Sequence, residues 1–257
     1  TLSFRNLIIN GAMNVAQRGT TKATHTGHGY FTVDRFYTTI SGEDEGRTED
    51  QITLTSSDTG PWATGFRKAF QVTNGNQSSG AGASDNMLIV YKVEAQDMAS
   101  CGWDYTSTSS YITCSFWVKS SVAQNFYGYF KVPDSNWYYT FETGSLSANT
   151  WTKITKTLPG NSNLVINNDT GDGFQFNLDL FRGTTWTGTR TLNTWSAWDA
   201  NARTPNQTDT WWTTNDATFA ITGLQLEVGS TATDFEHRSY GDELRRCQRY
   251  FQHHFSK

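Results

Sequence analysis

The chain has 257 residues, 36% hydrophobic and 14% aromatic, enough for one large β domain or two small ones with a sizeable core. Its net charge of −4 and pI near 5.7 exclude the basic footprint with which a nucleic-acid binder displaces counterions, so DNA and RNA are not expected partners. No apolar run approaches the roughly 20 residues that cross a bilayer, and the opening TLSFRNLIING has neither the apolar stretch nor the cleavage site of a secretory signal. The expectation is a protein made and assembled in a cytoplasm, without a membrane partner.

Charged residues are only 17%, and Thr, Ser, Asn and Gly fill the spaces between apolar ones, as in strands and turns. Alternation at every second residue predicts strands over residues 66–72 and 88–93. It is clearest over 111–119, where Ile112, Cys114, Phe116 and Val118 alternate with Tyr111, Thr113, Ser115, Trp117 and Lys119. Phe126, Phe130 and Val132 then alternate with Tyr127, Tyr129 and Lys131, before turn chemistry at Pro133, Asp134, Ser135 and Asn136. These two segments read as neighbouring antiparallel strands. Further strands are predicted over 151–158 and 174–180, the latter with Phe174, Phe176, Leu178 and Leu180 inward.

Near the end, Phe219 and Ile221 share one parity while Leu224, Leu226 and Val228 share the other. A bulge at Thr222 and Gly223 reconciles them, because one extra residue flips the facing of everything after it. The count reaches at least eight strands, joined by polar connections such as 73–85 and 184–216. The fold this predicts is all-β: a single domain over residues 1–257, an antiparallel β-sandwich of jelly-roll type with a short C-terminal helix. The helix is read from Leu244, Cys247 and Phe251 at i, i+3 and i+7, with Asp242 and Glu243 early and Arg245, Arg246 and Arg249 late, matching the helix dipole. It packs on its own sandwich, or the segment 240–257 docks a neighbouring subunit through Leu244, Cys247, Tyr250 and Phe251.

Catalytic patterns are missing: no G-x-S-x-G, H-E-x-x-H or Walker loop, and no G-x-G-x-x-G after a strand. No spacing singles out a carboxylate pair for glycoside hydrolysis among the 24 acids. His25, His28 and His237 are scattered, and the adjacent His253 and His254 read as a solvated tail. Cys101, Cys114 and Cys247 are odd in number and widely spaced, hence reduced, buried thiols rather than a disulfide framework or zinc knuckle. The run from Asn167 through Asn168, Asp169, Thr170, Gly171 and Asp172 to Gly173 concentrates oxygen ligands, but it lacks the Glu and spacing of a calcium loop and reads as a turn. No cofactor is implied. The aromatic excess says more. Ten Trp and eleven Tyr are many for one core, and Trp137, Tyr138, Tyr139, Trp186, Trp195, Trp198, Trp211 and Trp212 lie in polar, loop-like stretches. Such rings can stack on the C–H face of a sugar, and they can equally staple loops or fill a subunit interface.

Two long stretches carry a resemblance. NLIINGAMNVAQRGT (residues 6–20), followed by Asp34, Arg35 and Phe36, resembles the N-x-x-I-N-G-x-M-x-x-x-Q-R-G opening and later D-R-W or D-R-F of a family of bacteriophage tail-fibre and appendage proteins. ITGLQLEVGSTATDFEHRSYGDELRRCQRYF (residues 221–251) is similar to that family's I-T-G-x-Q-L-E…A-T-x-F-E ending and its E-L-x-x-C-Q-R-Y-[FY] close. The SFWVKS run at 115–120 and the strand from Trp151 extend the likeness over nearly the whole chain, though they are generic to jelly-roll carbohydrate-binding modules. One departure is Asp234, where the family often has Pro.

The resemblance implies a non-enzymatic virion structural protein with a carbohydrate-binding-module-like sandwich, on the outside of the particle. Other virion proteins would be its partners, together with host surface polysaccharide, and it would be a homotrimer as phage fibres generally are. A capsid decoration or head-fibre protein with a purely architectural role is the second reading, and a polysaccharide depolymerase the third. The two matching ends also imply that Ile8 and the 224–228 run are adjacent strands closing the sandwich, with Arg18, Arg35, Glu227, Glu236 and Arg238 available for ion pairs at the seam.

Overall fold

The structure is a computed structural model that describes residues 5–252, so His253 and His254 fall outside the described residues. Among the described residues the chain forms twelve strands: β1 (Thr21–His25), β2 (Phe36–Ser41), β3 (Arg47–Thr53), β4 (Lys68–Thr73), β5 (Asn86–Glu94), β6 (Tyr111–Ser120), β7 (Asn125–Val132), β8 (Trp137–Ser145), β9 (Thr152–Pro159), β10 (Asp172–Arg182), β11 (Trp195–Ala197) and β12 (Thr218–Val228). Three short α-helices interrupt them, α1 (Ala95–Ser100), α2 (Thr210–Thr213) and α3 (Tyr240–Gln248).

The strands make two six-stranded sheets, ordered β1-β3-β4-β12-β6-β9 (sheet I) and β11-β8-β7-β10-β5-β2 (sheet II). Every strand pairing in them is antiparallel. The alternation read from the sequence sets which side is buried. Ile112, Cys114, Phe116 and Val118 of β6 and Phe174, Phe176, Leu178 and Leu180 of β10 all join one continuous core between the sheets. Rings interlock across it: Phe116 meets Phe176 at 5.0 Å and Phe126 meets Phe219 at 4.8 Å, both edge to face.

Those contacts correct one expectation. β6 and β7 are not neighbours. β6 lies between β12 and β9 in sheet I, and β7 lies between β8 and β10 in sheet II. The link 121–124 crosses from one sheet to the other, held by Ser121 N–H donating to Thr218 O (2.9 Å) and Trp211 N–H donating to Gln124 Oε1 (2.9 Å). Two strands whose apolar rows must face each other through the core cannot lie side by side in one sheet.

The bulge in β12 is where the parity break puts it. Thr222 pairs with Trp117 and Gln225 with Ser115, so β12 carries one residue more than β6 over this step. Phe219, Ile221, Leu224 and Leu226 are therefore all buried, whereas Val228, at the strand's end, is 38% exposed and not part of the core.

The two ends of the chain meet. The segment at Ile8 is not a regular strand, yet it runs along β12 beyond the bulge. Leu7 N–H donates to Leu226 O (2.9 Å) and Leu224 N–H donates to Gly11 O (3.0 Å). A Cβ at residue 11 would stand 2.1 Å from Leu224 O, so the approach requires glycine. The expected seam charges are in place: Arg238 pairs with Glu236 (3.1 Å) and Glu243 (3.0 Å), Arg5 with Glu227 (3.2 Å) and Arg18 with Asp34 (3.3 Å). Arg35 instead lies over the Tyr250 ring at 3.5 Å.

Ser239 caps α3, its Oγ accepting from Asp242 N–H at 3.2 Å, and Glu243 and Cys247 are the residues the helix buries. Leu244 is half-buried. Of the predicted docking residues, Cys247 is thus enclosed by its own chain, and Tyr250 and Phe251 lie under Arg35 and Arg18 at 3.5 Å each.

Candidate functional site

On the outer side of sheet I, Ser115 and Trp117 of β6 face away from the core, and β12 passes beside them with Gly223 at the bulge. Phe66 packs over Gly223, and beside them lies a groove of about 470 Å³. Its floor is Ser115, Gly223 and Phe66, one wall is the half-buried Trp117 ring beside exposed Lys153, and the other is the segment 233–237. Lys153 is directly opposite Trp117 in the β6–β9 ladder.

The second wall is pinned by buried polar side chains of β12. Gln225 Oε1 accepts from Glu236 N–H at 2.8 Å. Glu227 accepts from Thr233 N–H (2.9 Å) and Thr233 Oγ1–H (2.6 Å), and its Oε1 also accepts from Gln225 Nε2–H (2.8 Å). Glu227 is 1% exposed and Gln225 fully buried, so these partners are obligatory. They hold Phe235 against Phe66 (4.7 Å, edge to face) and His237 4.9 Å from Phe235, with His237 Nε2–H donating to Thr64 O at 2.8 Å. The Q-L-E portion of the C-terminal motif is thus the set of pegs that fixes this wall.

The rim beyond Trp117 is pinned by Asp58. Its Oδ1 accepts from Lys119 Nζ (2.8 Å) and Trp151 Nε1–H (2.9 Å), and its Oδ2 from Thr55 N–H (2.9 Å). Burial pushes this carboxyl up, but the hydrogen bonds from Lys119, Thr55 and Trp151 outweigh it and bring the pKa down to about 2.

Five of the eight aromatic residues singled out in the sequence are buried and cannot present a ring to a sugar: Tyr138, Tyr139, Trp195, Trp211 and Trp212. They are staples. Trp195 Nε1–H donates to Pro159 O (2.7 Å), Trp211 Nε1–H to Thr218 O (3.1 Å), Trp212 Nε1–H to Gly80 O (3.2 Å), and Tyr138 Oη–H to Ala202 O (2.8 Å). Trp137 is partly buried against the core. Trp186 and Trp198 remain half-exposed, on the outer side of sheet II. Trp117, the groove ring, was counted in the sequence only as the polar side of its strand. The usable signal was a large ring at outward parity, on the strand next to a bulge glycine.

The oxygen-rich loop is a turn. Asp169 Oδ1 accepts from Gly171 N–H (2.8 Å), and the Gly171 and Asp169 carbonyls accept from Ala95 and Gln96 N–H (2.8 and 2.9 Å). Among the described residues no three His, Cys, Asp or Glu side chains are grouped to hold a metal ion. The three cysteines are free; Cys114 and Cys247 are buried and Cys101 half-buried, and burial pushes all three thiols up.

No protein-family model matches the chain, and comparison with curated proteins finds no relative. Among solved structures it is similar to the enzymatically active domain of bacteriophage CBA120 tailspike protein 4, with TM-score 0.42 and 9% identity over 88% of this chain. The chain spans 22% of that tailspike. It is also similar to TmCBM61 in complex with β-1,4-galactotriose, with TM-score 0.38, 7% identity, 88% of this chain and 99% of the other. A third likeness is to the CBM22-1 xylan-binding domain from Paenibacillus barcinonensis Xyn10C, with TM-score 0.34, 11% identity, 85% of this chain and 100% of that one. At such identities and scores none of these transfers a ligand or a role to this chain.

Proposed function

We propose that this chain is a non-catalytic module on the outside of a bacteriophage particle, in a tail fibre or another receptor-facing appendage, and that its sheet I groove binds a saccharide of the bacterial surface. The observation that carries the reading is the Trp117 ring, held half-exposed beside Lys153 and facing Thr233 and Asp234. A flat apolar ring stacks on the C–H face of a sugar while such polar neighbours take its hydroxyls. The phage setting rests on the two terminal motifs, whose residues build the seam and the groove wall.

Calorimetric titration with host surface polysaccharide tests it. Replacing Trp117 with Ala removes a stacking contact of about 1 kcal/mol beyond its buried area, so affinity is expected to fall roughly tenfold. Absence of binding to any host glycan by the wild-type protein, with particles still assembling, would leave the capsid-decoration reading in its place. Release of reducing ends from the polysaccharide would replace it with a depolymerase.

A further inference from the structure

The outer side of sheet II carries a different chemistry. Tyr138 and Trp198 meet edge to face at 5.1 Å, and three cations lie over this pair of rings. Lys131 Nζ is 3.8 Å from the Trp198 centroid, Arg203 Cζ is 5.2 Å from the same centroid, and Arg190 Cζ is 4.1 Å from that of Tyr138. Arg203 also lies 4.6 Å from the Trp186 centroid.

Among the described residues none of the three makes an ion pair. Asp179 is already taken by Arg182, whose Nε and Nη2 donate to it at 2.5 and 2.9 Å in a fully buried pair. Asp199 acts on Arg190 only at a distance. Arg203 Nε is buried with no hydrogen-bond partner. Like charges crowd one another: burial and then the neighbouring Arg203 push Lys131 down, and burial and then Arg182 push Arg203 down. Cation–π contact offsets part of that cost but supplies no counter-charge. Asp199 and Asp179 reach Arg190 and Arg203 only through space and no carboxylate among the described residues contacts any of the three, so on a chain of net charge −4 these half-buried cations are a local excess that an anion would relieve.

The register bounds this patch. Lys131 on β7 is opposite Tyr138 on β8 and Gln175 on β10, and Gln175 is opposite Lys92 on β5, whose ammonium is already paired with Asp172 at 2.8 Å and so stands outside the excess. We propose that this face binds an acidic polysaccharide, one bearing carboxylates on its sugar rings, with Lys131, Arg203 and Arg190 taking the carboxylates and Trp198 and Trp186 lying against the rings. This site is separate from the sheet I groove and does not depend on it.

The test is calorimetric titration with oligogalacturonate and with its fully methyl-esterified form, which keeps the sugar backbone and removes the charge. The acid form should bind, weakening as salt rises, and the ester should bind at least roughly tenfold more weakly. Lys131→Met and Arg203→Met keep an apolar stem on the rings, and each should lose about tenfold or more for the acid form. Trp117→Ala should leave that binding unchanged, whatever it does to a saccharide in the groove. Equal affinity for acid and ester would overturn the proposal, as would wild-type affinity in both Met variants. So would equal binding of single-stranded DNA of the same charge, since any polyanion would then do.

Discussion

Asp58 is held by two donors from distant parts of the chain, the Lys119 ammonium and the Trp151 indole, and by the Thr55 amide three residues before it. Its pKa of about 2 lies below the roughly 3.9 of an unfolded aspartate. A carboxylate depressed on folding stabilises the fold above its unfolded pKa, and that contribution disappears as pH falls through the folded value. Asp58→Asn should therefore lower the melting temperature at pH 7, and the gap to the wild type should close between about pH 4 and pH 2. Thermal melts of both proteins across that window check it; a gap that stays constant with pH would mean the carboxylate's charge contributes nothing.

At the level of elements, the bulge in β12 joins the fold to the groove. Gly223 has φ +65°, and a Cβ there would come within 2.6 Å of the Phe66 ring. Gly223→Ala combines about 1–2 kcal/mol of left-handed strain with that clash, so a loss of about 2–3 kcal/mol is expected in urea unfolding, together with weakened saccharide binding in the groove. This bulge was legible in the sequence because Phe219 and Ile221 fall out of step with Leu224 and Leu226. The sandwich was legible for the same reason in β4 to β7, β9, β10 and β12, whereas the short β2 and β11 escaped notice and the ring-rich β8 read as a loop. β1 and β3 were not legible either, because they offer no apolar row: β1 is nearly all exposed, and β3 buries Arg47 and Glu49, which pair with each other at 2.8 Å. Partner choice was lost as well, since the alternation of β6 and β7 looks the same for neighbours in one sheet as for strands facing across the core. The tryptophans of polar stretches misled in their own way. The sequence around Trp195, Trp211 and Trp212 is polar, but each indole N–H finds a backbone carbonyl of another segment, and with that bond made the ring can be buried.

For the whole molecule the decisive group is Arg238, because it ties the first residues of the described chain to the last helix. Its guanidinium donates to the carbonyls of Ile8 (3.0 Å) and Asn6 and to the carboxylates of Glu236 (3.1 Å) and Glu243 (3.0 Å). Glu243 in turn accepts from Asn10 N–H. The Arg238 and Glu243 side chains are 8% and 7% exposed, so removing the cation alone leaves a nearly buried carboxylate without its counter-charge. Arg238→Met is therefore expected to cost about 3–5 kcal/mol. Adding Glu243→Gln neutralises the stranded charge, so the double variant should be more stable than the sum of the two single losses implies, by on the order of 1–3 kcal/mol. Urea midpoints of the four proteins close this cycle. Because the seam joins the N-terminal segment, β12 and α3 over one core, each protein should unfold in a single transition seen alike by tryptophan fluorescence and circular dichroism. Additive losses, or an early fluorescence phase confined to Arg238→Met, would mean that the ends close the sandwich without being coupled to it.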